Sequence, residues 1–531
     1  MAVADARDGL AGRDEGEGSD QLLDKAAARD VRTVTKGGAV QIAGQLSSRG
    51  LSSIFIFLAF RVLGSAGVGL YRSVIQVAHI AGQLGLLGFN YASMRWISRA
   101  RARGEPGGVR GAARLGLSTV AVASTLVAVG LFFLAPSIAD RFADPGVDPS
   151  EFEDLIRLSI GFVPLFALMQ VLRYCTQAYK TMVPSVVAGN IVQPTVSFLL
   201  SVVALAIGLD VAGVVGSVVI SMGAGAAAAA LYFRRMLTDE ERAAAPKKEF
   251  GPMLRFALPQ AGSSLLGVQT LGLGIILLSA YNSNEETGFF VLALALQGGG
   301  TVFLSGIVNI WAPVVSDLYD RNAIDRLGAL YQTITRWVGT FSFPVYAALI
   351  LEPDLFAEVF GGAEGAGAVP VVAILAAGNI FYSGTGPTGY VISMSGRPGV
   401  NFINSLVAIG LYIAIGIPVA REHGAVGIAI VDSSVTALVN SARVIEARIL
   451  VGVQPFGRTF YKPVLATMVG ASSLLLWRLV PGDSIPLEIA GVAVASVVYL
   501  AALSLFGTDP EEQYVWREIR GRAARSLRRN R

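Results

Sequence analysis

GAVQIAGQLSSRGLSSIFIFLAFR (38–61) is apolar along most of its length yet carries a charge, Arg49, near its middle. As a helix rising about 1.5 Å per residue it reaches across a hydrocarbon core about 30 Å thick, which asks for roughly 20 apolar residues. Its polar residues are ordered. Gln41, Gln45, Ser48 and Ser52 fall at i, i+4, i+7 and i+11, inside an arc of about 60°, with Arg49 at the edge of that arc. The stretch therefore predicts a membrane-spanning helix with one polar face. Further spans of the same kind are predicted at 68–93, 113–136, 155–177, 182–207, 211–233, 253–281, 287–311, 328–351, 366–390, 399–420, 424–447, 462–480 and 485–506. Charged residues make up only 15% of the chain and hydrophobic ones 53%, against about 25% charged in a soluble domain. Backbone groups in lipid must be satisfied within each segment. The fold class is an all-α polytopic membrane protein with about 14 transmembrane helices.

An even span count puts both termini on one side, and basic residues say which. Of the 42 Lys and Arg residues, all but Arg49, Arg61, Arg72, Arg141, Arg157, Arg421 and Arg478 fall in the tails or in alternate connections. Positive loops stay inside. This predicts a multi-pass protein of the cytoplasmic membrane with cytoplasmic N and C termini. The opposite connections are acidic, as in Asp140, Glu151, Glu153 and Asp154, or Glu352, Asp354, Glu358 and Glu364. The basic balance is accounted for by membrane anchoring, so no nucleic-acid partner is implied. Residues 1–37 read as a cytoplasmic tail, disordered over 1–30, in which Leu23, Ala27, Val31 and Val34 recur at helical spacing and suggest a short surface helix, with a plain linker as the alternative; 507–531 reads as a basic tail facing membrane lipids. Cys175 is the only cysteine and the two histidines are far apart, which excludes disulfides and predicts no metal site.

The charged connection TDEERAAAPKKEFGP (238–252) divides the chain. Six spans form an N-lobe (38–235) and eight a C-lobe (253–506), joined by a cytoplasmic linker (236–252). Gly69-Leu70-Tyr71 is echoed by Gly288-Phe289-Phe290, 219 positions on. Transporters are commonly built from repeated bundles with the substrate at the repeat interface, so two pseudo-symmetric bundles are expected.

LAFRVLGSAGVGLY (58–71) and LGLLGFNYASMRWISRARARG (84–104) resemble the first hairpin of polysaccharide-exporting flippases of the multidrug/oligosaccharidyl-lipid/polysaccharide exporter superfamily. MLRFALPQAGSSLL (253–266), ETGFFVLALAL (286–296), WAPVVSDLYDRNAIDRLGALYQTITRW (311–337) and FGGAEGAGAVPVVAILAAGNIF (360–381) resemble the opening of the second lobe. The resemblance implies a MATE-like, V-shaped bundle that moves a lipid-linked oligosaccharide of the polyprenyl pyrophosphate type by rocker-switch alternating access. Glycan polymerase and assembly proteins would be its partners in surface polysaccharide biosynthesis. In one place the chain departs from the pattern. Many relatives carry an Asp near the end of the seventh helix, where Gly272-Leu273-Gly274 stands here.

The candidate substrate-binding residues follow from polar periodicity. Gln45, Ser48 and Arg49 lie on the first span, and Arg72, Gln76, His79 and Gln83 repeat the i, i+4, i+7, i+11 pattern on the second. Asn190 and Gln193 on the fifth, and Gln260 and Gln297 on the seventh and eighth, complete a cavity whose cations are confined to the N-lobe. Guanidinium groups bind phosphate bidentately and amides serve sugar hydroxyls. The same Gln, Asn and Ser residues also suit hydrogen bonds between helices, and a carboxylate partner for Arg49 is the structural alternative. Asp432 in the twelfth span is the ion-coupling candidate, for H+ or Na+; the membrane potential is the other source of drive, and no cofactor is implied. Three alternatives remain open. Two use the same fold, a multidrug exporter and a peptidoglycan-precursor flippase. The third is a membrane glycan polymerase or glycosyltransferase, which calls for an acid/base or metal site that the sequence does not show, so the chain is read as no enzyme.

Overall fold

The computed structural model describes residues 8–142, 149–247, 249–265, 272–482 and 484–506. The first lobe comprises α1 (Asp8–Leu86), α2 (Phe89–Ala102), α3 (Pro106–Phe142), α4 (Ser150–Ser159), α5 (Phe162–Gln177), α6 (Val183–Val186), α7 (Gln193–Ala206) and α8 (Asp210–Met236). One turn of helix, α9 (Asp239–Ala243), lies in the linker. The second lobe opens with α10 (Phe250–Leu265), α11 (Leu273–Tyr281), α12 (Asn284–Asp320), α13 (Ile324–Leu351) and α14 (Pro353–Gly361). It continues with α15 (Val369–Thr385), α16 (Thr388–Met394), α17 (Pro398–Glu446), α18 (Tyr461–Trp477) and α19 (Ile485–Leu505). Among the described residues there is no strand, and the chain is all-α as expected.

Two helices are hairpins. α1 folds back at Gly64 (φ 72°, ψ −178°) and α17 at Gly424 (φ 53°, ψ −140°), conformations that a side chain would strain. Phe55 and Tyr71, one on each side of Gly64, meet edge to face at 5.9 Å, so the two arms of α1 run antiparallel. At each bend the amide following the glycine is taken up by a carboxylate. Ser65 N–H donates to Glu364 Oε2 at 2.8 Å and Ala425 N–H to Glu286 Oε2 at 2.6 Å. The first of these bonds crosses between lobes.

Nine segments among the described residues are long and apolar enough to cross a membrane, where the sequence predicts fourteen spans. The difference is mostly one of joining. Ala43–Leu86 and Pro398–Val451 are the two hairpins, each with length for two crossings. The expected span 253–281 includes most of α10 and all of α11, 287–311 lies inside the 37-residue α12, and α18 has 17 residues, about 25 Å of helix. Ahead of residue 38, α1 begins at Asp8 and runs as one helix into the first span, so the helix suggested around residues 23–34 is part of a longer one that extends into the stretch expected to be disordered. The basic segment 507–531 lies outside the described residues.

Helices pack mainly within their own lobe, and the most extensive contact across the divide is α1 against α12. Its closest point holds two glycines. A Cβ on Gly69 would stand 1.7 Å from the Asn284 carbonyl oxygen, and one on Gly288 would stand 2.0 Å from that of Ser65. Gly69 corresponds to Gly288 and Ser65 to Asn284 by the same displacement of 219 that marks the sequence repeat. The two contacts are thus reciprocal under that displacement, as a two-fold relation between the two segments would make them.

The linker is strapped to the first lobe. Lys247 N–H donates to Gly107 O at 2.9 Å, Arg110 reaches the Ala244 carbonyl at 2.9 Å, and Lys247 Nζ pairs with Glu105 at 2.6 Å. That ammonium holds the Glu105 carboxyl below the ordinary carboxylate range. Trp96 Nε1 donates to Glu249 at 2.7 Å, and α10 then lies on α2 through Phe89 and Phe250 and through Arg95 over Phe256.

Candidate functional site at the lobe interface

Arg49 projects from the first arm of α1 toward the second lobe. Its Nη1 donates to Thr301 Oγ1 on α12 at 3.1 Å, and its charge lies within reach of the phenols of Tyr346 on α13 and Tyr382 on α15. Thr301 follows Gly300, whose missing side chain leaves room for the Tyr346 ring; a Cβ there would stand 2.3 Å from Tyr346 Cζ. The residue is half-buried, and no carboxylate among the described residues lies within ion-pair distance of it. The carboxylate partner considered from sequence is thus absent there, and the cation faces hydroxyl groups. One turn back, Gln45 is half-buried with Oε1 unpartnered, and Ser48 is half-buried beside it.

On the second arm Arg72, Gln76, His79 and Gln83 are all half-buried. Arg72 lies against Tyr71 with its Nε buried and unpartnered. Gln76 packs across the divide onto Gly272, where a Cβ would stand 2.5 Å from its Cδ. His79 sits edge-on to Phe166 at 5.1 Å and 3.5 Å from Gln83 Nε2. Arg49 stands fifteen residues before the Gly64 bend and Arg72 eight after it. At about 1.5 Å per residue Arg72 lies about 10 Å nearer the bend than Arg49, whereas His79, fifteen residues after the bend, is level with Arg49.

Three expected site residues are tied up between helices. Asn190 Oδ1 accepts from Arg173 Nη2 at 2.9 Å, Gln193 Nε2 donates to Ser221 Oγ at 3.0 Å, and Gln297 Oε1 accepts from Asn379 Nδ2 at 2.6 Å. Gln260 is half-buried on α10. Arg173, which the charge count assigned to a connection, lies inside α5. It also donates to Gln170 Oε1 at 3.1 Å and to the Ser185 carbonyl at 3.1 Å. A π-helical turn at Val187–Val192 shapes its berth: a Cβ on Gly189 would stand 2.2 Å from Arg173 Cζ.

Asp432 is half-buried on the second arm of α17, facing the buried hydroxyl of Tyr412 on the first. A Cβ on Gly274 would stand 3.0 Å from that hydroxyl. The carboxylate thus lies one tyrosine away from the seventh-span segment where the family pattern places an Asp.

The cations are not confined to the first lobe. Arg443, near the end of α17, shares Tyr382 with Arg49 as an electrostatic neighbour. Sequence position alone grouped Arg443 with the linker-side loops; its place among tyrosines is a tertiary fact.

A family profile described as "Polysaccharide biosynthesis protein" matches residues 34–319. The stage V sporulation protein B of Bacillus subtilis (strain 168) is 23% identical over 509 residues, covering 90% of this chain and 96% of that protein. Among solved structures, a lipid II flippase MurJ in an inward closed conformation superposes with a TM-score of 0.68 at 14% identity, over 88% of this chain and 98% of its own. An inward-facing multidrug resistance MATE family transporter of the MOP superfamily gives 0.61 at 15%, over 78% and 98%.

Proposed function

From the premise that the chain belongs to the polysaccharide biosynthesis protein family, we propose that it is a flippase that carries a lipid-linked oligosaccharide across the cytoplasmic membrane by alternating access. The observation that carries this reading is Arg49: a half-buried guanidinium without a carboxylate, aimed across the lobe interface at Thr301. Leaving such a cation inside a membrane protein is costly, and a polyprenyl pyrophosphate is the anion that would repay it. A carrier for cationic drugs would place carboxylates on this wall. In this reading the linker and both termini are cytoplasmic, and Asp432 with Tyr412 is the candidate point of ion coupling. The relative named a lipid II flippase keeps a peptidoglycan-precursor cargo as the second reading, because that cargo is also a pyrophosphate-linked sugar lipid.

The test is reconstitution in vesicles. The purified protein should expose a polyprenyl-pyrophosphate oligosaccharide to an impermeant glycosidase, without making any glycosidic bond. A charge-assisted contact is worth roughly 1.5–3 kcal/mol, so Arg49→Ala should slow translocation by about ten- to a hundredfold. Arg49→Lys should keep part of it, since the charge stays and the bidentate geometry does not. Full transport by a folded Arg49→Ala protein, or sugar transfer by the protein alone, rejects the reading; comparing lipid II with other pyrophosphate-linked glycans separates the two cargoes.

A further inference from the structure

Resting on the flippase reading, we infer that the headgroup site is shared by both lobes, and that Arg443 and Asn401 on α17, meeting at Gly389 on α16, form its second half. The argument begins with unsatisfied atoms. Arg443 Nε is buried and donates to nothing, and Asn401 Oδ1 is buried and accepts nothing. Both converge on one spot. A Cβ on Gly389 would stand 3.3 Å from Asn401 Oδ1 and 3.8 Å from Arg443 Nε, so the absence of a side chain leaves a donor and an acceptor facing a common space. Orphaned buried polar atoms cost about 1–3 kcal/mol each, and a native protein keeps them where something else satisfies them.

Glu446, one turn on from Arg443, lies within electrostatic reach of it but does not bond its Nε. Its carboxylate already accepts from Asn404 Nδ2 at 2.5 Å, and no ion pair joins it to Arg443. Tyrosines relate the spot to the first lobe. Tyr382 stands within electrostatic reach of both Arg443 and Arg49, and Tyr390, next to Gly389, within reach of Tyr91 on α2. Tyr390 is 43% exposed. A guanidinium suits a phosphate oxygen, and an amide oxygen suits a sugar hydroxyl. The pair therefore fits the junction of a sugar pyrophosphate, with Arg49 holding the same group from the opposite wall. Cations contributed by both lobes would let the substrate itself couple their movement.

The experiment measures binding of a C55 polyprenyl pyrophosphate to the purified full-length protein in detergent, with thermal unfolding as the control for folding. Arg443→Ala should weaken binding by about tenfold or more, and Arg443→Lys should recover part of the loss. Gly389→Ala keeps both polar side chains and fills the space between them. At 3.3 Å from a movable amide its methyl is accommodated, so it should fold normally and still weaken binding. If Arg443→Ala proves unstable, Gly389→Ala decides. Normal binding by a folded Gly389→Ala protein, or by a folded Arg443→Ala protein while Arg49→Ala fails, overturns the shared site and leaves the flippase reading standing. Normal binding by the Arg49 and Arg443 variants alike rejects the phosphate reading itself.

Discussion

Arg173 and Arg49 sit in the same lobe, one with its guanidinium filled by neutral acceptors and the other nearly bare. Arg173 donates to Gln170, Ser185 and Asn190, in a berth that Gly189 leaves open. Truncating it strands those acceptors, at roughly 1–3 kcal/mol for each that stays dry. Arg173→Met should therefore lower the unfolding temperature and the folded yield before any effect on transport can be measured. Arg49→Ala, which gives up one bond to Thr301, should leave both within a few degrees of wild type. Thermal melts of the two purified variants check this contrast, and a stable Arg173→Met protein would show that the network around Asn190 does not hold the lobe together. The polar stripe of 41–52 was legible because helical periodicity displays a face directly. That face did not say which polar residues were spoken for. Asn190 and Gln193 fitted the same periodicity, yet their partners come from α5 and α8, helices the stripe cannot see.

At the scale of elements, glycines record where helices touch. The repeat at Gly69 and Gly288 is visible in the sequence as two similar tripeptides, and the structure shows why they are alike: each glycine receives the other lobe's backbone. A side chain at either position must push α1 and α12 apart, and overpacking of this kind costs about 1–3 kcal/mol. Gly69→Val should therefore disfavour the closed far end. A cysteine replacing Ser73, fully buried at this crossing, should then react with an impermeant thiol reagent several times faster than in the Gly69 background, while transport falls. Unchanged labelling with normal transport would mean that the crossing tolerates separation. The bends at Gly64 and Gly424 fall where the sequence already separates 38–61 from 68–93 and 399–420 from 424–447. The π-helical turn at Val187–Val192 was not legible at all: an inserted residue within a continuous apolar run leaves the composition unchanged.

For the whole molecule, the proposed alternating access makes the contacts between lobes at the end away from the linker one state of a cycle. Ser65 N–H donates to Glu364 Oε2, Ser65 Oγ lies 3.3 Å from the same oxygen, and Arg61 reaches the Val359 carbonyl. Arg141 of the first lobe covers the ring of Tyr281 in the second at 4.0 Å. These contacts join the Gly64 bend to the segment after α14, so opening this end requires that Glu364 release Ser65 while the Gly69–Gly288 crossing parts. Alternating access then makes a strict demand. Cysteines replacing Ser65 and Glu364, joined by a short bifunctional thiol reagent, should stop transport, and a cleavable linkage should restore it on reduction. The background is clean, because Cys175 is the only cysteine of the chain and is buried. Binding of a polyprenyl pyrophosphate should survive the crosslink, since Arg49 and Arg443 lie away from it and the lobes stay apposed as they are here. Transport at the wild-type rate by fully crosslinked protein would show that cargo passes without this end opening, and rocker-switch motion would have to be abandoned for this chain.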